Sequence, residues 1–148
     1  MAITLDLESV EGIAIGIAHG DLTLDEIEES AATMWRVVGG PEVRMLWDLR
    51  DARFDLAQAE VSDLAEYIKG LISGPAIRTA FVASRDLEFG LLRMFEMLRE
   101  AKGVRTSVFR DKEHAIEWLR SDAVDYDAAP QVATRARARP STSRRSGG

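Results

Sequence analysis

The sequence contains no cysteine. That excludes a disulfide framework, a thiolate metal site and a cysteine nucleophile, and it suits a reducing compartment. Histidine is nearly as scarce. His19 and His114 are the only two, and neither stands in an H-x-x-x-H or H-x-x-E-H spacing that would build a zinc site. No stretch approaches the roughly 18 uninterrupted apolar residues of a membrane-spanning helix. The N-terminus, MAITLDLESVEG, lacks the basic segment and long apolar run of a secretion signal. A cytoplasmic protein without a membrane span is the expectation. No glycine-rich phosphate loop is evident either. Gly39-Gly40 follows a predicted helix instead of preceding one, and with Pro41 it reads as a helix stop.

Basic charge is short over most of the chain. The net charge is −6, but residues 128–148 hold Arg135, Arg137, Arg139, Arg144 and Arg145 and no acid. The remaining 14 basic residues face all 25 acids over 1–127, a net of −11. Phosphate contacts need clustered lysine and arginine, so a nucleic-acid partner is not expected. What is present suits one globular domain. The chain has 148 residues, 46% of them hydrophobic and 30% charged, enough apolar material for one core.

The hydrophobic pattern alternates between two periods. Ile3, Leu5 and Leu7 recur at every second position, as do Ile13, Ile15 and Ile17, the signature of strands. In the second run Ala14, Gly16 and Ala18 make the opposite face nearly bare, which lets a helix approach closely. The short link between the runs predicts an antiparallel hairpin. Thr23-Leu24-Asp25-Glu26 is a capping box, and it opens a helix with an apolar stripe of Leu24, Ile27, Ala31, Met34, Trp35 and Val38. Val43 to Arg50 is the third strand. Asp55 with Gln58 is the expected cap of a second helix, which has Val61, Leu64, Ala65, Ile68, Leu71 and Ile72 on one side. Ala76 to Ser84 is the fourth strand. The third helix is expected to turn Leu87, Leu91, Met94, Phe95 and Leu98 to the core. Val104 to Arg110 is the fifth strand, and Asp111 caps a last helix that buries Ala115, Trp118 and Leu119.

The order is β-β-α-β-α-β-α-β-α. Helices linking successive strands imply parallel pairing through right-handed crossovers, with the first strand as an antiparallel edge. The fold class is α/β, a mixed, mostly parallel five-stranded sheet with four helices. We expect the domain over 1–122, followed over 123–148 by a disordered tail rich in Arg, Ala, Ser and Pro.

Four segments, LWDLRDA at 46–52, AFVAS at 80–84, FGLLRMFE at 89–96 and VFRDKEHAIEWL at 108–119, resemble the SpoIIAA-like group of small bacterial proteins, also described as STAS/SEC14-type domains. By element order the resemblance extends over 3–120. It implies a single α/β domain of the STAS-like type, in a group that is largely uncharacterised. Anti-sigma-factor antagonists of related fold carry a phosphorylatable serine in a DSSG-like turn after the third strand. Here that turn reads Arg50-Asp51-Ala52-Arg53-Phe54-Asp55, without serine or threonine, so the phospho-switch is not carried over. Lipid-binding SEC14 proteins are much larger, so lipid binding carries over only weakly.

Ligands of open parallel sheets favour the carboxyl ends of the strands. That edge is expected to collect His19, Asp21, Asp48, Arg50, Ser84, Arg85 and Arg110. Ser84, His19 and Asp48 are the residue types of a catalytic triad, but no G-x-S-x-G elbow surrounds Ser84. Ser84 is read instead as a helix cap and Asp48 as the partner of an arginine. Asp21 and Asp48 are read as solvated carboxylates, not as a cation site. An anion at the start of the third helix would meet Arg85 and Arg93, but also Asp86 and Glu88. On that helix Phe89 points away from the expected core stripe, with Gly90, Arg93 and Met97 near it. These residues form either an interface anchor or a patch in which Phe89 folds against the edge of the sheet or a neighbouring loop. The expectation is a non-catalytic module without cofactor or metal, binding a protein partner or a second copy of itself through Phe89, Gly90, Arg93 and Met97 and through Asp48, Arg50, Ser84 and Arg85. The alternative is a small anionic ligand at the carboxyl edge.

Overall fold

The computed structural model describes residues 6–10, 12–38, 42–72, 74, 76–100 and 104–121. The elements run β1 (Asp6–Val10), β2 (Ile13–Asp21), α1 (Leu24–Val37), β3 (Val43–Arg53), α2 (Gln58–Leu71), β4 (Ile77–Val82), α3 (Asp86–Leu98), β5 (Val104–Phe109) and α4 (Lys112–Arg120). The single sheet has the order β1-β2-β3-β4-β5. β1 pairs antiparallel with β2, and β2 to β5 are mutually parallel. The expected tail over 123–148, Ile3 and Leu5, and the helix stop at 39–41 lie outside the described residues.

The sequential strand order decides where the helices go. Each right-handed crossover steps the same way along the sheet, so α1, α2 and α3 fall on one face and pack side by side. α4 covers the other face, over β3, β4 and β5. The two faces bury separate cores. Under α1 to α3 lie Met34, Met45, Trp47, Leu49, Val61 and Phe95, among others. Under α4 lie Ile13, Ile15, Leu46, Ala80, Val82, Ala115 and Leu119, none of them measurably exposed. Full burial of a leucine such as Leu119 contributes about 1.5–3 kcal/mol. Arg78 then pins the end of α4, donating from Nη1 to the carbonyls of Trp118 (3.2 Å) and Ser121.

Local signals explain most boundaries. Gly12 supplies the left-handed φ of 80° that the β1–β2 turn needs. The Thr23 hydroxyl accepts from the Glu26 N–H at 3.2 Å, and Glu26 Oε1 accepts from the Thr23 N–H at 2.8 Å. The bare face of β2 is used as expected. A Cβ on Gly16 would stand 2.8 Å from Met34 Cε and 2.9 Å from Trp47 Cζ3, so α1 and the Trp47 ring close down on bare backbone. Asp111 caps α4, accepting from the His114 N–H at 2.9 Å.

Several expectations are corrected. β3 continues to Arg53, so residues 50–53 are strand and the turn is Phe54 to Ala57. Phe54 and Leu56, 5% and 8% exposed, drop into the core and displace the start of α2. The N-cap is Ala57, not Asp55, and its N–H donates to Glu60 Oε1 at 2.9 Å. Ser84 does not cap α3. Arg85 holds that position without a side-chain cap bond. α3 itself is rotated from its expected face. Glu88, Leu92, Phe95 and Arg99 are buried, while Leu87 and Leu98 are exposed and Leu91 and Met94 are half-buried. Trp118 is half-buried beneath Arg78 rather than fully enclosed.

Candidate functional site

Asp48 and Arg50 lie two residues apart on β3 and so share the α4 side of the sheet. Arg50 clasps Asp48 with both arms, Nε to Oδ1 at 2.8 Å and Nη2 to Oδ2 at 2.7 Å, and its backbone N–H adds a 3.3 Å bond to Oδ1. Burial alone would raise the Asp48 pKa. The hydrogen bonds and charge of Arg50, with Lys112 adding to them, outweigh burial and hold the carboxyl below its usual value. The Asp48 bonds in turn raise the Arg50 pKa.

At the carboxyl ends of β3, β4 and β5 a second network forms. The Ser84 hydroxyl donates to the Arg50 carbonyl at 3.2 Å. Arg110, just past β5, donates from Nη1 to the Ser84 carbonyl at 2.8 Å and from Nη2 to Asp86 Oδ1 at 2.9 Å. The Arg110 guanidinium carbon sits 4.1 Å from the centre of the Phe89 ring, a cation–π contact. Phe89 is therefore half-buried, packed against the main core and roofed by Arg110. Its ring is thus folded inward and does not stand free on the helix surface.

Glu88 ties this edge to the turn before α2. It is 2% exposed. Its Oε2 accepts from the Phe54 N–H at 3.1 Å, and its Oε1 stands 3.4 Å from Arg85 Nε with no hydrogen bond among the described residues. Read from sequence, Glu88 was a first-turn acid repelling phosphate. The structure makes it a bolt between α3 and the β3–α2 connection. Its spacing from Arg85 was a visible signal, but its burial was not.

The sequence-derived site thus divides. Asp48, Arg50, Ser84, Arg85 and Phe89 gather at the carboxyl edge. Gly90, Arg93 and Met97 lie on the outward side of α3. Gly90 has open space where a Cβ would be. Arg93 is 56% exposed and stands 3.9 Å from Glu96 Oε1. Met97 is 69% exposed, and it lies eight residues beyond Phe89, about 12 Å along the helix at 1.5 Å per residue. Because α3 is the crossover between the parallel β4 and β5, it runs back along the sheet and Met97 lies toward the amino-terminal ends of the strands.

The triad types do not assemble as a triad. The Asp48 oxygens are engaged by Arg50, and the Ser84 hydroxyl is given to the Arg50 carbonyl. His19 sits on β2 in register with Asp51, and His114 Nδ1 lies 2.6 Å from the capping carboxylate of Asp111. Among the described residues no group of three His, Asp or Glu side chains is arranged to hold a metal ion, and no helix is long and apolar enough to cross a membrane.

No family model and no curated protein matches the chain. Solved structures do. An uncharacterised protein of the DUF3478 family from Shewanella loihica PV-4, described as having a SpoIIAA-like fold, superposes with a TM-score of 0.53 at 20% identity, covering 80% of this chain and 94% of that one. An anti-sigma factor antagonist from Mycobacterium paratuberculosis superposes with a TM-score of 0.55 at 16% identity, covering 81% of this chain and 96% of that one. At 20% identity or less these superpositions speak to the fold alone: the chain has the SpoIIAA-like α/β fold.

Proposed function

We propose that this protein is a non-catalytic, regulatory interaction module, and that it binds a protein partner, or a second copy of itself, through the outward side of α3. The observation that carries this reading is the exposure of Met97 at 69%, Leu87 at 44% and Leu98 at 38% along one helix, beside the open Gly90 and the exposed Arg93. Apolar side chains around an arginine and a small residue suit an interface centre. The similar structure from Mycobacterium paratuberculosis is named as the antagonist of another protein, which suits the same role.

The carboxyl edge serves this reading as a brace. Arg50, Arg85 and Arg110 each face an acid, namely Asp48, Glu88 and Asp86. That pairing disfavours a small anion at the edge and favours the protein-binding reading over it. The test is sedimentation and affinity capture of the wild type against Met97→Asp and Arg93→Glu, both outside the core. Loss of a complex with unchanged circular dichroism supports the reading. A complex retained by both variants overturns it. Phe89→Asp is not a clean test, because a carboxylate there would disturb the core-facing ring and the Arg110 contact.

A further inference from the structure

A cavity of about 90 Å³ lies between the sheet and the α1–α3 layer. Its wall is apolar over most of its extent, with Met45, Trp47, Leu64, Phe81 and Phe95 among the lining residues. One corner differs. Arg99, at the end of α3, lines it and is only 3% exposed. Among the described residues its guanidinium has no hydrogen-bond or ion-pair partner, and burial alone pulls its pKa down. Two threonines line the same cavity, Thr79 on β4 and Thr106 on β5. They are register neighbours, so their side chains share the helix-covered face. Neither hydroxyl has a hydrogen-bond partner among the described residues.

An unpaired arginine charge in an apolar interior is costly, and such groups are ordinarily paired or hydrogen-bonded. An arginine is also a planar, permanently charged fork that fits a carboxylate with two parallel bonds. Threonine hydroxyls beside it can donate to the same anion. The rest of the wall offers only apolar contact. For scale, an apolar cavity of about 150 Å³ takes up benzene.

We propose that this cavity is a binding site for a small amphipathic carboxylate: an anionic head held by Arg99, Thr79 and Thr106, and a compact aliphatic body of a few carbons against Met45, Trp47 and Phe81. The site is separate from the outward side of α3 and does not depend on the partner reading. It also differs from an anion site at the carboxyl edge, because its charge is supplied from the far end of α3.

The methionines report on it directly. Met45 lines the cavity and Met97 lies outside, so methyl-labelled methionine NMR separates the two places. The probes are pentanoate, its neutral counterpart pentanamide, and formate, which is charge without a body. Pentanoate is expected to shift the Met45 methyl with Met97 unmoved, and to bind at least tenfold more tightly than either control. In Arg99→Met the preference for pentanoate over pentanamide is expected to vanish. Equal binding of pentanoate and pentanamide by the wild type, equal binding of formate, or no Met45 shift with pentanoate overturns the proposal. So does a folded Arg99→Met protein that keeps the tenfold preference. The wild-type comparison decides the matter even where the variant does not fold.

Discussion

Removal of the Glu88 side chain offers a sharp test of how α3 is held. In Glu88→Ala the Phe54 N–H loses its acceptor at a position only 5% exposed. A buried donor left without a partner costs about 1–3 kcal/mol. Loss of the buried Cγ methylene adds about 0.8 kcal/mol. The Arg85 contact returns little. Arg85 is 47% exposed, and a screened pair of this kind is worth at most about 1 kcal/mol. Against these stands the relief of Oε1, which is buried without a hydrogen bond. The net expectation is a destabilisation of about 2 kcal/mol for Glu88→Ala. Glu88→Gln keeps a carbonyl for Phe54 and should cost less than about 1 kcal/mol. Urea unfolding monitored by circular dichroism gives both values, provided the m-values match the wild type. Amide exchange at Phe54 should accelerate in the alanine variant, by about tenfold for each 1.4 kcal/mol of local opening. An alanine variant within 0.5 kcal/mol of wild type, or a glutamine variant as damaged as the alanine one, would refute the bolt.

Two further predictions concern the core and the helix surface. Gly16→Ala places a methyl 2.8 Å from Met34 Cε and 2.9 Å from the Trp47 ring; overpacking should cost about 1–3 kcal/mol, read as a fall in Tm of about 2–4 °C per kcal/mol. A Gly16→Ala protein as stable as wild type would show that α1 can move off the sheet freely. Burial, together with the charge of Glu100, raises the Glu96 pKa more than Arg93 lowers it. A raised carboxyl is a stability cost when ionised, present at neutral pH and relieved as pH falls through the raised value. Glu96→Gln should therefore stabilise the protein at pH 7, by about 0.5 kcal/mol, and the gain should disappear in acid. A gain that persists unchanged at pH 3 would contradict this.

The order of elements was legible because hydrophobic period and cap chemistry agree over most of the chain. Thr23 with Glu26 fixed the start of α1, and Ala14, Gly16 and Ala18 marked the face on which α1 settles. α3 was misread for a definite reason. Its buried side carries Glu88 and Arg99 beside Leu92 and Phe95, so the apolar stripe of Leu87, Leu91, Met94 and Leu98 points about a quarter turn away at 100° per residue. A stripe calculation counts hydrophobicity and cannot weigh a buried carboxyl bonded to a distant N–H. The Asp48–Arg50 pair was readable from its two-residue spacing. The Arg110 roof over Phe89 was not, since it depends on how the ends of two strands and a helix converge. Arg99 carried no signal, because an arginine at a helix end ordinarily reaches water.

The interface assignment can be read most directly by photo-crosslinking. With Met97 replaced by p-benzoylphenylalanine, and Glu113 on α4 replaced likewise as a control, the proposed interface predicts a discrete adduct with one protein, or with a second copy of the chain, from position 97 alone. Excess unlabelled wild type should compete it away, and excess Met97→Asp protein should not. No adduct at position 97, or the same adduct from position 113, would contradict the account.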